Sequence, residues 1–166
     1  RVDALTLLQT AMSGLSSGLA VAVREERGLA YYMGAYQSAG VDPGIFAFYA
    51  GTYEDAVAEV EKLINNEMMR ITTSGLTEEE MERARSQTIA DYEMSLQDNM
   101  GIAKDCALNE LHGLGYIYSF TTRKRFETLT RESVRNAAAS VISADKAAVS
   151  IVLPSTAGHG TNVRSR

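Results

Sequence analysis

Apolar residues recur at helical spacing from the start of the chain. Leu5, Leu8, Met12, Leu15, Leu19 and Val23 follow one another at three or four positions and so share one helix face. Gly14 and Gly18 interrupt the stripe, each at a cost of about 1 kcal/mol in a helix interior, and Gly28 marks its stop. Two aromatic runs follow, 29–36 (LAYYMGAY) and 45–50 (IFAFYA), with turn chemistry between them in QSAGVDPG. That pattern predicts a β-hairpin. On such a strand Tyr31 and Tyr32 fall on opposite faces.

Thr52 with Asp55 then resembles a capping box opening a helix that carries Val57, Val60, Ile64, Met68 and Ile71 on one face, up to Gly75. Thr77 with Glu80 opens the next, its first turn acidic through Glu78, Glu79 and Glu80, as the helix dipole favours. This acidic run reads as a helix start and not as a metal site. The helix runs to about residue 98 with Met81, Ala84, Thr88 and Tyr92 as its stripe, and Asn99 to Gly101 kink or break it. Ile102, Ala103, Cys106, Ala107 and Leu111 continue helically to Gly113 and Gly115. A short segment holds Phe126 and Leu129, and Thr130 caps a helix with Val134, Ala138 and Val141. Residues 147–153 (AAVSIVL) read as a buried strand ended by Pro154. The polar STAGHGTNVRSR reads as a linker or terminus.

Helices beside an antiparallel hairpin predict an α+β domain, an antiparallel sheet packed against several helices, over residues 1–153, with a polar tail over 154–166. Three strands make a thin sheet, so a first strand is expected upstream of Arg1.

Bulk properties narrow the function. The 166 residues are 45% hydrophobic and 22% charged, enough for one domain with a real core. A net charge of −5, with no Lys/Arg run longer than the three residues 123–125, argues against nucleic acid as partner. No apolar stretch approaches the ~20 residues of a membrane span, and no signal-peptide pattern follows Arg1. The single cysteine, Cys106, excludes an internal disulfide and reads as a small core residue.

Candidate chemistry is sparse. The two histidines, His112 and His159, have no second histidine or cysteine three to five residues away, and there is no HxxEH or HExxH. A zinc site built from this chain alone is not expected. Ser16 and Ser17 lie in SGLSSGL, which is not a nucleophile elbow, and Gly14 to Gly18 is not a phosphate loop. One polar cluster remains, R24-E25-E26-R27-G28-L29-A30-Y31. On spacing alone, Arg24 and Arg27 read as last-turn cations and Tyr31 as a strand aromatic. The alternative is that Arg24, a fork of donors, and Tyr31, a hydroxyl donor suited to a developing oxyanion, point into one space.

GLSSGLAVAVREERGLAYYMGAY resembles the G-x-S-S-R-L-x-x-x-x-R-E-x-R-G-L-A-Y segment of the pitrilysin/insulinase family of zinc peptidases, the inverzincins. That family includes mitochondrial processing peptidase and the core proteins of the respiratory bc1 complex. GLTEEEMERARSQTIADYEMSLQD is similar to its L-T-x-x-E-L-x-x-A-K helix, with Leu76, Thr77, Glu80, Met81 and Ala84 in place. LHGLGYIYSFTTRKRFETLTRESVRNAAASVISADKAAVSIVLP resembles its closing helices and last strand. The likeness covers about residues 3–153 and lies in the family's second, non-metal half. It departs from the family at Gly18, where Arg or Pro is usual, and at Ala20, where a bulky residue is.

The resemblance implies half of a metalloprotease clamshell. The other half, a domain of the same polypeptide or another subunit, would carry HxxEH and the zinc; this chain would bind no cofactor and would not be catalytic alone. It implies that Arg24 and Tyr31 serve as the substrate-binding and catalytic pair, Tyr31 donating to the carbonyl oxygen in the transition state and Arg24 holding peptide or charge. A peptide substrate and a homo- or heterodimer are the partners to expect. The alternative is a non-catalytic scaffold or assembly subunit of the same family, and a third reading is an unrelated α+β binding module. The reading leans to the bacterial periplasm over the cytoplasm.

Overall fold

A computed structural model describes residues 1–14, 17–38, 44–153 and 162–165. Helix α1 (Val2–Met12) lies at the centre. Its Leu7, Leu8 and Met12 are almost wholly buried, because α4 (Glu78–Ser95), α6 (Thr122–Glu127), α7 (Arg131–Val141) and strand β1 (Ala30–Ser38) pack around it. Met68 and Ile71 of α3 (Val57–Thr73), with Leu76, Met81, Phe126 and Val134, complete this main core. Arg125 fastens α6 to α1: its guanidinium donates to Asp3 at 2.9 Å and lies 3.5 Å over the Tyr118 ring.

The single first helix expected from the sequence is two pieces. Helix α1 stops at Met12 because the Ser13 hydroxyl leaves the helix path for Ala35 in β1, accepting from its N–H and donating to its carbonyl, each at 3.2 Å. That hydroxyl fills the place of a neighbouring strand at the outer edge of β1. Ser17 then caps a short helix α2 (Gly18–Ala20) by accepting from the Ala20 N–H at 3.1 Å. Leu15 and Ser16, singled out from the sequence, lie outside the described residues.

The hairpin is present as β1 paired antiparallel with β2 (Ile45–Thr52), with residues 39–43 of its turn outside the described residues. The expected cap at Thr52 is replaced by a strand contact. Thr52 is still in the ladder opposite Ala30, and its hydroxyl donates to the Leu29 carbonyl, so it cannot cap the helix. A 3₁₀ turn at Glu54–Ala56 leads into α3 instead. Thr77 and Glu80 form the complete reciprocal capping box, and Thr130 caps α7 with Ser133 as its partner.

Asn99 starts a new helix, α5 (Asn99–Leu111), capped by Asp98. Helix α5 buries no residue, since it packs chiefly on the 3₁₀ segment Tyr116–Thr121. Cys106 is therefore half-buried beside Tyr116 and Ser119 and not a core residue. Strand β3 (Ser150–Leu153) is also less buried than its apolar run suggests; Val152 is exposed. Among the described residues it does not join the hairpin. It pairs antiparallel with β4 (Asn162–Ser165), drawn from the stretch that reads as a polar tail, so the strands form two separate two-stranded ladders. His159 and Pro154 lie outside the described residues.

Candidate functional site

Arg24 and Tyr31 stand on either side of one tight turn. The chain enters it through a π-helical turn, Val21–Glu25, in which the Glu26 N–H reaches five residues back to the Val21 carbonyl at 3.0 Å. Such turns hold one residue more than an α turn and re-aim the side chains after them. Gly28 closes the turn at φ +62°, where a β-carbon is strained. Its N–H donates to the Arg24 carbonyl at 3.1 Å, and the Leu29 N–H to the Val23 carbonyl at 2.8 Å. This is the nested closure of a glycine helix stop, widened by one residue by the π turn. The start of β1 is thus tied to the backbone of Arg24, and Tyr31 follows two extended residues on, about 7 Å along the strand.

A small second core holds the turn from below. Val23, Leu19, Ala30 and Val60 are buried together, with Leu29, Met33 and Phe48 against them. Full burial of a side chain such as Val23 is worth on the order of 1.5–3 kcal/mol. Arg27 points to α3, where it pairs with Glu59 at 2.5 Å. Arg24 is exposed, and Tyr31 is 83% exposed. Neither side chain makes a hydrogen bond or ion pair among the described residues.

The strand end is irregular as well. Ala30 lies opposite Thr52 but Tyr32 lies opposite Gly51, so Tyr31 is the extra residue of a β-bulge. The bulge cancels the alternation that would send Tyr31 and Tyr32 to opposite faces. Their rings instead meet edge to face, centroids 6.3 Å apart at 85°. The one hint of this in the sequence is Gly51 inside an otherwise apolar and aromatic strand, since an isolated strand glycine marks a bulge or a close approach. The π turn has no comparable signal.

Beneath this region the α4 cap approaches α2. A methyl group at Gly18 would lie 3.7 Å from Glu80 Oε1. Burial pushes the Glu80 carboxyl up, but the Thr77 N–H and the Arg70 guanidinium outweigh it and hold the group below the usual carboxylate range.

No group of three or more His, Cys, Asp or Glu side chains able to hold a metal occurs among the described residues. Among the described residues no set of donors fits a zinc ion. A recess of about 440 Å³ beside α4 and α6 is lined by Glu82, Arg85, Glu93 and Arg123, which pair with one another as Arg85–Glu82 and Arg123–Glu93.

Residues 1–88, just over half of the 166, match the family described as the peptidase M16 inactive domain. The chain belongs to that family. An uncharacterized zinc protease of Streptomyces coelicolor is 36% identical over 109 residues, 65% of this chain and 24% of that protein. One from Bacillus subtilis is 29% identical over 112 residues, 67% of this chain and 27% of that protein. The M16 chain thus spans about a quarter of the length of these curated relatives. Its fold matches the peptidase M16 inactive domain from Pseudomonas fluorescens with a TM-score of 0.79 at 22% identity, covering 87% of this chain and 35% of that one. It also matches the inactive peptidase domain of a zinc-protease relative from Bordetella parapertussis, with a TM-score of 0.75 at 17% identity over 99% of this chain and 82% of that one. The M16 inactive-domain fold accounts for the helices grouped on one hairpin.

Proposed function

We propose that this M16 chain is the non-metal half of a zinc-dependent metalloendopeptidase. It binds the peptide and presents Arg24 and Tyr31 to an active site whose HxxEH zinc motif is on another domain or subunit. The observation that carries the reading is the Gly28 turn, which ties the backbone of Arg24 to the start of β1 while both side chains stay exposed. The chain's own residues do two things. The Tyr31 hydroxyl donates to the peptide carbonyl oxygen as negative charge develops there. The Arg24 guanidinium holds the peptide through its fork of donors.

The test uses the full-length protein joined to its metal-bearing half and a short fluorogenic peptide. Tyr31→Phe removes one hydroxyl and keeps the ring, so kcat is expected to fall about 100- to 1000-fold with unchanged stability. Arg24→Ala is expected to lower kcat/KM with more of the loss in KM. Near wild-type kcat in folded Tyr31→Phe would overturn the assignment.

A second reading, a scaffold or assembly subunit, is favoured by a different observation. Leu108, Leu111, Leu114, Ile117 and Phe120 are exposed on and beside α5, a helix that buries nothing. Under that reading both variants retain full assembly and there is no peptidase activity to lose.

A further inference from the structure

We propose that Tyr32, seated in a slot over Gly51, is a positioning residue that sets the direction of the Tyr31 ring. The inference rests on the reading of Tyr31 as a hydroxyl donor and adds the device that aims it.

Three observations carry it. First, the bulge at Tyr31 puts the two rings side by side, edge to face at 6.3 Å, where regular alternation would separate them. Second, Tyr32 is itself held. Its ring lies flat across the partner strand: a methyl group on Gly51 would sit 2.4 Å from Tyr32 Cε1 and 2.5 Å from Cζ, distances that real atoms do not reach. Tyr49 also neighbours this ring, centroids 6.3 Å apart at 45°. Third, Tyr31 is 83% exposed, and the Tyr32 ring is the aromatic side chain that it packs against. An aromatic in solvent samples several staggered directions at χ1. An edge-to-face neighbour favours one of them by a factor of roughly 2 to 12. A donor that must meet an oxyanion within hydrogen-bond distance gains directly from that selection.

Gly51 makes the idea testable at a residue outside the Arg24 and Tyr31 pair. Its backbone is outside the left-handed region, so alanine fits the strand, and the nearest atoms its methyl group would meet are those of the Tyr32 ring. In the full-length protein with its metal-bearing half, Gly51→Ala and Tyr32→Ala are each expected to lower kcat about 1.5- to 3-fold, the loss when one favoured direction of three becomes equal to the others, with KM unchanged. Tyr32→Phe keeps the ring and is expected to restore wild-type kcat. The double variant Gly51→Ala/Tyr32→Ala should match Tyr32→Ala alone, because the methyl group acts only through the ring. In a Tyr31→Phe background none of these changes should lower kcat further.

A structural readout stands apart from activity. In the 166-residue chain, a nuclear Overhauser contact between the Tyr31 and Tyr32 rings is expected, present in Tyr32→Phe and lost in Gly51→Ala. If Tyr31→Phe lowers kcat while Tyr32→Ala leaves it unchanged, the positioning role is overturned and the donor role stands. If Tyr31→Phe itself keeps full kcat, the donor reading falls and the positioning role falls with it, whatever the ring contact shows. A Tyr32→Phe as impaired as Tyr32→Ala also overturns it. Should Gly51→Ala fail to fold, the Tyr32→Ala and Tyr32→Phe pair decides alone.

Discussion

Removing the Glu80 carboxylate should cost the domain about 3 kcal/mol. Glu80 Oε2 accepts from the Thr77 N–H at 2.8 Å, completing the α4 capping box, and from Arg70 Nη1 at 3.1 Å; Oε1 accepts from Arg70 Nη2 at 2.8 Å. Helix caps of this kind are worth about 1 kcal/mol, and hydrogen bonds to a charged group about 1.5–3. The Glu80 side chain is only 12% exposed, so water replaces little of what is lost. Arg70 keeps Glu67 at 2.7 Å, so its guanidinium is not orphaned. That holds the cost below the roughly 3–5 kcal/mol of a stranded buried charge. Urea unfolding followed by circular dichroism of wild type, Glu80→Ala, Arg70→Ala and the double variant gives the coupling directly, expected on the order of 1–2 kcal/mol. The pH dependence has a definite sign. The folded Glu80 titrates below its unfolded value, so its contribution is full above the unfolded value of about 4.3. It is lost as pH falls through the folded value. Glu80→Gln should flatten that part of the acid limb. A coupling within about 0.3 kcal/mol of zero, or an acid limb unchanged in Glu80→Gln, would refute the reasoning.

Ser17→Ala removes the cap of α2 from a fully buried position. A loss of about 1–2 kcal/mol is expected, seen as a fall in Tm of roughly 2–8 °C by thermal melting; an unchanged Tm would show that the hydroxyl is idle. The purified 166-residue chain, dialysed and submitted to metal analysis, should retain no stoichiometric zinc, since its two histidines and one cysteine lack tetrahedral spacing. One tightly held equivalent would contradict the ligand count.

Elements with both a periodic stripe and a cap were legible from the residues alone. Thr77 with Glu80 and Thr130 opened helices as written, because a side chain three residues from its backbone partner is a purely local matter. The hairpin was legible because two aromatic runs flank one stretch of turn residues. Where a side chain bonds far along the chain, the local reading failed. Ser13 leaves its helix for Ala35, and Thr52 leaves its would-be cap for Leu29. Helix α5 shows the converse: Cys106 and Leu111 have core spacing, but spacing cannot say whether another element arrives to cover them. At the candidate site the sequence supplied Arg24, Gly28 and Tyr31, and missed the two irregularities around them. Both depend on hydrogen-bond register, for which the residues offer only Gly51 at the bulge and nothing at the π turn.

The π turn and the bulge also bear on how this stretch tolerates changes in length. Each stores one supernumerary residue, on opposite sides of Gly28. A one-codon deletion before Gly28 can be absorbed by tightening the π turn to an ordinary α turn, which swings Arg24 by about 100°. A deletion after Gly28 can be absorbed by ironing out the bulge, which returns Tyr31 and Tyr32 to opposite faces. In either case the main core keeps its residues, because none of them lies between Ser13 and Gly34. A single-codon change on either side of Gly28 would thus re-aim Arg24 or Tyr31 relative to the other while leaving the main core untouched.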